Sequence, residues 1–296
     1  MKAKKLLVFA LFAFLPMVAV GLVMHFIGGT AGIDTEAPAD MTAALKGFVL
    51  SAGSMLIPLL AVVFTQLIFK EPVLRNVGLS FKVNKWWWIG WILMPVIAFA
   101  CLGVTLLMPG AQWAGNSEAV QTAVAQIPGA GIWGMIIITV LSGMIAGITI
   151  NAVFALGEEI AWRGFLLKEL EGKSFLAVAI GAGAFWGFWH SPLILNGHNY
   201  PDHPVAGVFM MIVLCILMTP MLMYFRKKSG SVIVPAIMHG TINAVAGITQ
   251  ILVTPSNDLL YGSAGLAGFI VFLIVDLCIF IYDRYITKEN LMLSAL

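Results

Sequence analysis

What most constrains this chain is the recurrence of apolar runs about as long as a bilayer is thick, separated by short connectors. A hydrocarbon core of about 30 Å needs roughly 20 apolar residues in a helix rising 1.5 Å per residue. Eight stretches meet that length: about Leu6–Ile27, Ala43–Phe69, Trp86–Met108, Gly131–Leu156, Ser174–Leu195, Val205–Phe225, Ser231–Val253 and Tyr261–Tyr282. Each is expected to be a helix, because lipid offers the backbone no hydrogen-bond partner, and a barrel strand would be about half as long. Composition agrees. Only 10% of the 296 residues are charged and 60% are hydrophobic, where a soluble domain carries roughly 25% charge. A soluble globule and a disordered chain are both excluded. The expected fold is all-α: a polytopic membrane bundle of about eight helices, forming a single integral membrane domain over residues 1–296.

The basic residues set the orientation. Fifteen of the sixteen Lys and Arg fall before the first span or after the second, fourth, sixth and eighth, with Lys46 the exception. The alternate connectors carry acids instead, among them Asp34, Glu36, Asp40, Glu118, Asp202 and Asp258. By the positive-inside rule both termini are cytoplasmic. Trp86, Trp87 and Trp88 read as an interfacial aromatic belt on that side. The first span reads as a retained helix, since its ~22 apolar residues exceed the usual signal-peptide core of about 7–15. The longest connector, about Pro109–Ala130, is small and polar. A net charge of +2 leaves no footprint for nucleic acid. Cys101, Cys215 and Cys278 sit in apolar runs without CxxC spacing, so neither disulfides nor a zinc knuckle are suggested.

Ionisable groups at membrane depth are costly and mark function. The clearest case is Gly157-Glu158-Glu159-Ile160-Ala161-Trp162-Arg163, directly after an apolar run. On a helix Glu159 and Arg163 stand at i and i+4 and can pair. Glu158 lies about 100° round the helix without that partner, which leaves it as the candidate general base. His190 sits deep in the fifth span, and His239 and Asn243 share one face of the seventh. Counted from the turns at Gly172 and Gly230, all four side chains fall at depths that agree within about two helical turns. Chance packing accounts poorly for that coincidence on three helices.

Together the segments Glu158-Glu159-x-x-x-Arg163, Trp186-x-x-x-His190 and His239-x-x-x-Asn243 resemble the CPBP family of intramembrane proteases, the CAAX-protease, Rce1-type and bacteriocin-processing group. That family carries EExxxR, FxxxH and HxxxN motifs in this order on successive membrane helices. Trp186 stands where the family has Phe, a departure expected to alter only aromatic packing. The resemblance covers about residues 131–250. It implies an endopeptidase in which Glu158 and His190 activate water, His239 and Asn243 form an oxyanion hole, and Glu159 and Arg163 brace the site. The implied partners are a membrane-associated or lipidated protein or peptide and the bilayer itself, in the cell membrane if the source is prokaryotic. No cofactor is expected. Zinc at Glu158, His190 and His239 is the alternative, although HExxH is absent and coordination would occupy the base. The competing function is a non-catalytic one, a bacteriocin self-immunity factor or small transporter that uses the same polar cluster for binding.

Other polar positions read as structural. Gly143-x-x-x-Gly147 and Gly183-x-x-x-Gly187 are spacings that let helices approach closely. His198 and His203 lie with Asp202 in the loop Asn196–Pro204, where solvated side chains are the expectation and a surface metal the alternative. Asp276, in the last span, could pair with Asn151 or Gln250. Gly157 and Pro192 could each mark a helix interruption.

Overall fold

The computed structural model describes residues 2–26, 50–127 and 129–296. The outer acids Asp34, Glu36 and Asp40, Lys46, and the facing ends of the first two expected spans lie outside these. Twelve helices are used below: α1 (Lys2–Phe26), α2 (Leu50–Ile68), α3 (Lys85–Leu106), α4 (Glu118–Ala125), α5 (Gly131–Ile148), α6 (Ile150–Glu159), α7 (Leu166–Glu169), α8 (Phe175–Trp189), α9 (Ser191–Ile194), α10 (Pro204–Ser229), α11 (Ile233–Ile251) and α12 (Leu266–Ile281). The chain is a polytopic helical bundle. Among the described residues six helices are long and apolar enough to cross a membrane: α1, α2, α3, α5, α10 and the last helix, Leu266–Ile286. They make this an integral membrane protein.

The two remaining expected spans are helical but differ in kind. In the fifth, α8 runs only 15 residues before His190, and the short α9 follows. In the seventh, α11 has 19 residues but carries His239, Asn243 and Gln250. The helices least suited to lipid are thus the ones that hold the imidazoles. The fourth expected span also differs, breaking at Thr149 (φ −114°, ψ −102°) into α5 and α6. There the Thr149 hydroxyl donates to the Ile145 carbonyl at 2.7 Å, the local competition by which threonine loosens a helix. Gly157 interrupts nothing. It lies inside α6, where a Cβ would come within 2.5 Å of the Met55 carbonyl oxygen, so the glycine permits contact with α2.

The bundle has two chemically distinct ends. At the basic end Lys5 bonds Glu71 (2.6 Å) and Glu169 (2.5 Å), tying α1 to the connector after α2 and to α7. Lys5 and Glu169 are buried there, so this lysine is a structural bridge as well as a topology signal. Its hydrogen bond holds the Glu71 carboxyl below its usual value of 4.5. Lys228 pairs with Glu289, and the amide of Leu296 bonds the Lys173 carbonyl. The expected tryptophan belt divides. Trp88 is 57% exposed, whereas Trp86 is buried against Tyr224 and Phe225 with Lys85 and Lys228 over its ring.

At the acidic end the connector after α3 is more ordered than its polar composition suggests. Its strand β1 (Gln112–Trp113) pairs antiparallel with β2 (Val253–Thr254), and Ser117 caps α4. Asp258 accepts from the backbone amides of Asp202 and His203 and meets His203 Nδ1 at 2.7 Å. The Tyr200 hydroxyl donates to the Ala264 carbonyl.

Helix contacts around the polar cluster run through glycine. A Cβ on Gly187 would lie 2.4 Å from Ile212 Cα and one on Gly183 2.7 Å from Ile216 Cα, so α8 and α10 touch backbone to backbone. Gly143 and Gly147 face Val245 and Thr241 of α11 in the same way. Both small-residue spacings therefore pack helices, as expected.

Candidate active site

The first acid motif closes α6 and enters a widened turn, Ile160–Phe165, with π-helical bonding. Such turns are uncommon and concentrate at functional sites. Just before the widening, Glu158 and Glu159 are both buried in the bundle, 1% and 0% exposed, and Arg163 within it is 1% exposed. The expected i, i+4 pair forms, with Arg163 Nη1 3.0 Å from Glu159 Oε1. Arg163 also donates to the Thr219 hydroxyl of α10 at 3.0 Å, and its guanidinium lies 4.2 Å over the Trp186 ring. Glu159 Oε1 receives a second bond from His239 Nδ1 at 3.0 Å.

Glu158 has different neighbours. Its Oε2 accepts from the indole N–H of Trp162 (3.3 Å) and from that of Trp186. Trp186 also stands edge-on to His239 (5.3 Å) and tilted against His190 (5.9 Å). One indole therefore meets Glu158, the guanidinium that pairs with Glu159, and both imidazoles. The tryptophan that departs from the family pattern supplies a hydrogen bond that phenylalanine has no atom to make, so it alters more than packing. His190 follows the last turn of α8, and its Nδ1 is 2.9 Å from the Trp186 carbonyl. A carbonyl only accepts, so Nδ1 carries a proton, and in the neutral ring the lone pair is on Nε2.

Glu158, His190, His239 and Asn243 line one cavity of about 420 Å³. Glu159 and Arg163 are not among its lining residues but contact two that are, His239 and Trp186 respectively. The structure thus brings together all six residues expected from the sequence. Trp162, Trp186 and Thr219 join them, and nothing in the sequence marked these three for hydrogen bonding. The outer-loop pair separates. His203 bonds Asp258, while His198 lines the cavity, and burial lowers its pKa from 6.5. His198 is therefore not an ordinary solvated loop residue. Asp276 pairs with neither expected partner, since Asn151 donates to the Gly240 carbonyl instead.

The zinc alternative can be tested on the donors themselves. Among the described residues no three His, Cys, Asp or Glu side chains stand together as a metal-binding group. Of the three suggested ligands, Glu158 is engaged by two indoles, whereas the Nδ1 bonds of His190 and His239 are of the kind that orients a metal-binding imidazole and leaves its Nε2 free. As placed, the three do not form a metal-binding group.

Fold and site together define a helical membrane protein with a cluster of carboxylates, imidazoles and an amide around an internal cavity. Residues 133–245 match the family model for type II CAAX prenyl endopeptidases, Rce1-like. That segment contains all six site residues, and the family is the one the three motifs resemble. The chain is also 29% identical over 143 residues to the CAAX prenyl protease 2 of Methanococcus maripaludis, an alignment covering 45% of this chain and 48% of that protein. The chain thus spans about half the length of the curated relative it matches.

Proposed function

We propose that the protein is an intramembrane endopeptidase that hydrolyses a peptide bond of a membrane-associated protein or peptide with water activated by Glu158 and His190. The observation that carries this reading is the shared cavity, which Glu158 and His190 line from different helices. Water attack on an amide needs a base in hydrogen-bond reach. Glu158 supplies it, and its two indole donors fix the carboxylate so that it meets water in one orientation. His190 Nε2 accepts from the same water.

The attack places negative charge on the former carbonyl oxygen, where preorganised donors are worth about 3–4 kcal/mol each. Asn243 offers its amide N–H₂. His239 has Nδ1–H committed to Glu159, so it donates from Nε2 only as an imidazolium, and the Glu159 carboxylate is the counter-charge beside it. Arg163 holds Glu159 in that position. The bond between carbonyl carbon and nitrogen then breaks, and the proton taken by Glu158 passes to the departing amine. Each step uses side chains of the chain itself.

The test is cleavage of candidate membrane substrates by purified protein in liposomes. Glu158→Gln and His190→Ala should each abolish cleavage while insertion and thermal unfolding stay near wild type. If both variants keep full biological activity, the cluster serves binding and the protein is not a protease. Stoichiometric zinc in the active protein, with loss of cleavage on its removal, would overturn the metal-free course.

A further inference from the structure

A second cavity, of about 430 Å³, lies at the basic end of the bundle and shares no lining residue with the one that holds Glu158. Its size falls in the range of small-molecule sites, about 300–1,000 Å³. Lys168, Arg226 and Lys227 line it together with Asn76. Glu171 is the one acidic side chain among its described lining residues, so three cations face one carboxylate. Gly164, in the widened turn beside Arg163, forms part of the wall.

The charges in this cavity are balanced differently from those elsewhere. Among the described residues six Lys and Arg are buried or half-buried: Lys5, Arg163, Lys168, Arg226, Lys227 and Lys228. Four of them are paired: Lys5 with Glu71 and Glu169, Arg163 with Glu159, Lys168 with Glu71 at 3.7 Å, and Lys228 with Glu289. Arg226 and Lys227 make neither an ion pair nor a side-chain hydrogen bond among the described residues. The Nε of Arg226 is screened from solvent and bonds nothing. Its guanidinium lies against Gly78, where a Cβ would collide with Nη2, Cζ and Nε, so the absent side chain makes its room. Both cations stand in the last turn of α10, and the negative end of a helix favours positive charge there. That accounts for the sign of the charge. It does not account for a guanidinium withdrawn from water without a partner, because buried charges are ordinarily paired.

We propose that Arg226 and Lys227 form a binding site for a phosphate-bearing anion in this cavity. The guanidinium is a planar fork of donors that matches phosphate oxygens, and the neighbouring ammonium adds a point charge. The source that the location favours is the headgroup of an acidic phospholipid. Basic pockets at the cytoplasmic ends of membrane helices take such headgroups, and the charge asymmetry of the chain assigns this end to the cytoplasm. Lys168 strengthens the attraction and Glu171 opposes it. The site does not depend on proteolysis, since none of its residues takes part in the Glu158 cluster.

The test is binding of short-chain phosphatidylglycerol, short-chain phosphatidylcholine and inorganic phosphate to the purified full chain in neutral detergent. Ligand-dependent thermal unfolding and native mass spectrometry supply the readouts. The wild type should bind phosphatidylglycerol in preference to phosphatidylcholine, whose headgroup carries no net charge. Arg226→Gln/Lys227→Gln should weaken that binding about ten- to a hundredfold through loss of charge-assisted hydrogen bonds. Lys173→Gln, at an exposed cation outside the cavity, should keep wild-type binding. Glu171→Gln should tighten it, and because this carboxylate is exposed the variant keeps the fold, so the test stands even if the double variant does not fold. Stabilisation by phosphatidylglycerol but not by inorganic phosphate establishes the lipid as the source. An equal effect of inorganic phosphate at the same concentration overturns the lipid source and assigns the site to the free anion. Equal binding of the two lipids without any effect of inorganic phosphate overturns the proposal. So does phosphatidylglycerol binding that changes in neither the double variant nor Glu171→Gln.

Discussion

Replacing Arg163 by Met isolates the energetic role of the charge pair behind the cavity. The side chain is 1% exposed and makes three contacts: an ion pair to Glu159 at 3.0 Å, a hydrogen bond to Thr219 at 3.0 Å, and stacking 4.2 Å over Trp186. Met fills similar volume, so the loss is electrostatic. It strands the Glu159 carboxylate with His239 as its remaining partner, and breaking a buried pair from one side costs about 3–5 kcal/mol. That moves the folding equilibrium by roughly two to three and a half powers of ten, a large share of a total stability of about 5–15 kcal/mol. Glu159→Gln keeps an amide oxygen for His239 and removes the stranded charge. The double variant Glu159→Gln/Arg163→Met should therefore be more stable than Arg163→Met alone, with a coupling of about 1–3 kcal/mol. The assay is denaturant unfolding in mild detergent for the four members of the cycle. If the two substitutions simply add, Arg163 is not neutralising Glu159, and the account of a charge-braced site is wrong.

Three further outcomes follow from named contacts. Trp186→Phe removes an indole donor from Glu158, and because a hydrogen bond to a charged group is worth about 1.5–3 kcal/mol, kcat/KM for cleavage should fall by about ten- to a hundredfold. An unchanged rate would show that the indole does not position the base. Gly187→Ala brings a Cβ to 2.4 Å from Ile212 Cα and forces α8 from α10, so thermal unfolding should show a loss of about 1–3 kcal/mol. Gly181→Ala, whose Cβ meets nothing within 4 Å, is the control and should be neutral or stabilising. Because the Lys5 hydrogen bond lowers the Glu71 pKa from 4.5, this carboxylate adds stability above that value and loses it as pH falls through its folded pKa. The unfolding midpoint of the wild type should drop on acidification through the carboxylate range, and Glu71→Gln should flatten that drop.

The architecture was legible because length and hydropathy alone decide what can span lipid, and the Glu159–Arg163 pair because helical geometry joins i to i+4. What escaped the sequence lies in contacts between distant segments. The indole of Trp186 reaches Glu158 across 28 residues, and Thr219 meets Arg163 across 56. A periodic pattern carries no information about such meetings. His239 illustrates the limit most sharply: its place on the face shared with Asn243 was readable, while the bond of its Nδ1 to Glu159 was not. The break at Thr149 was hidden inside an apolar run whose hydropathy does not change across it. His198 looked like a loop residue, and only the fold brings it to the cavity.

Lys5 also has a consequence for biosynthesis. Its two carboxylate partners are made 66 and 164 residues after it. The ammonium group of the leading helix meets its first carboxylate once Glu71 is made, and its second only when Glu169 has been translated. The bridge from that helix is therefore completed in two stages, the second only after the polypeptide that carries the Glu158 motif has been made.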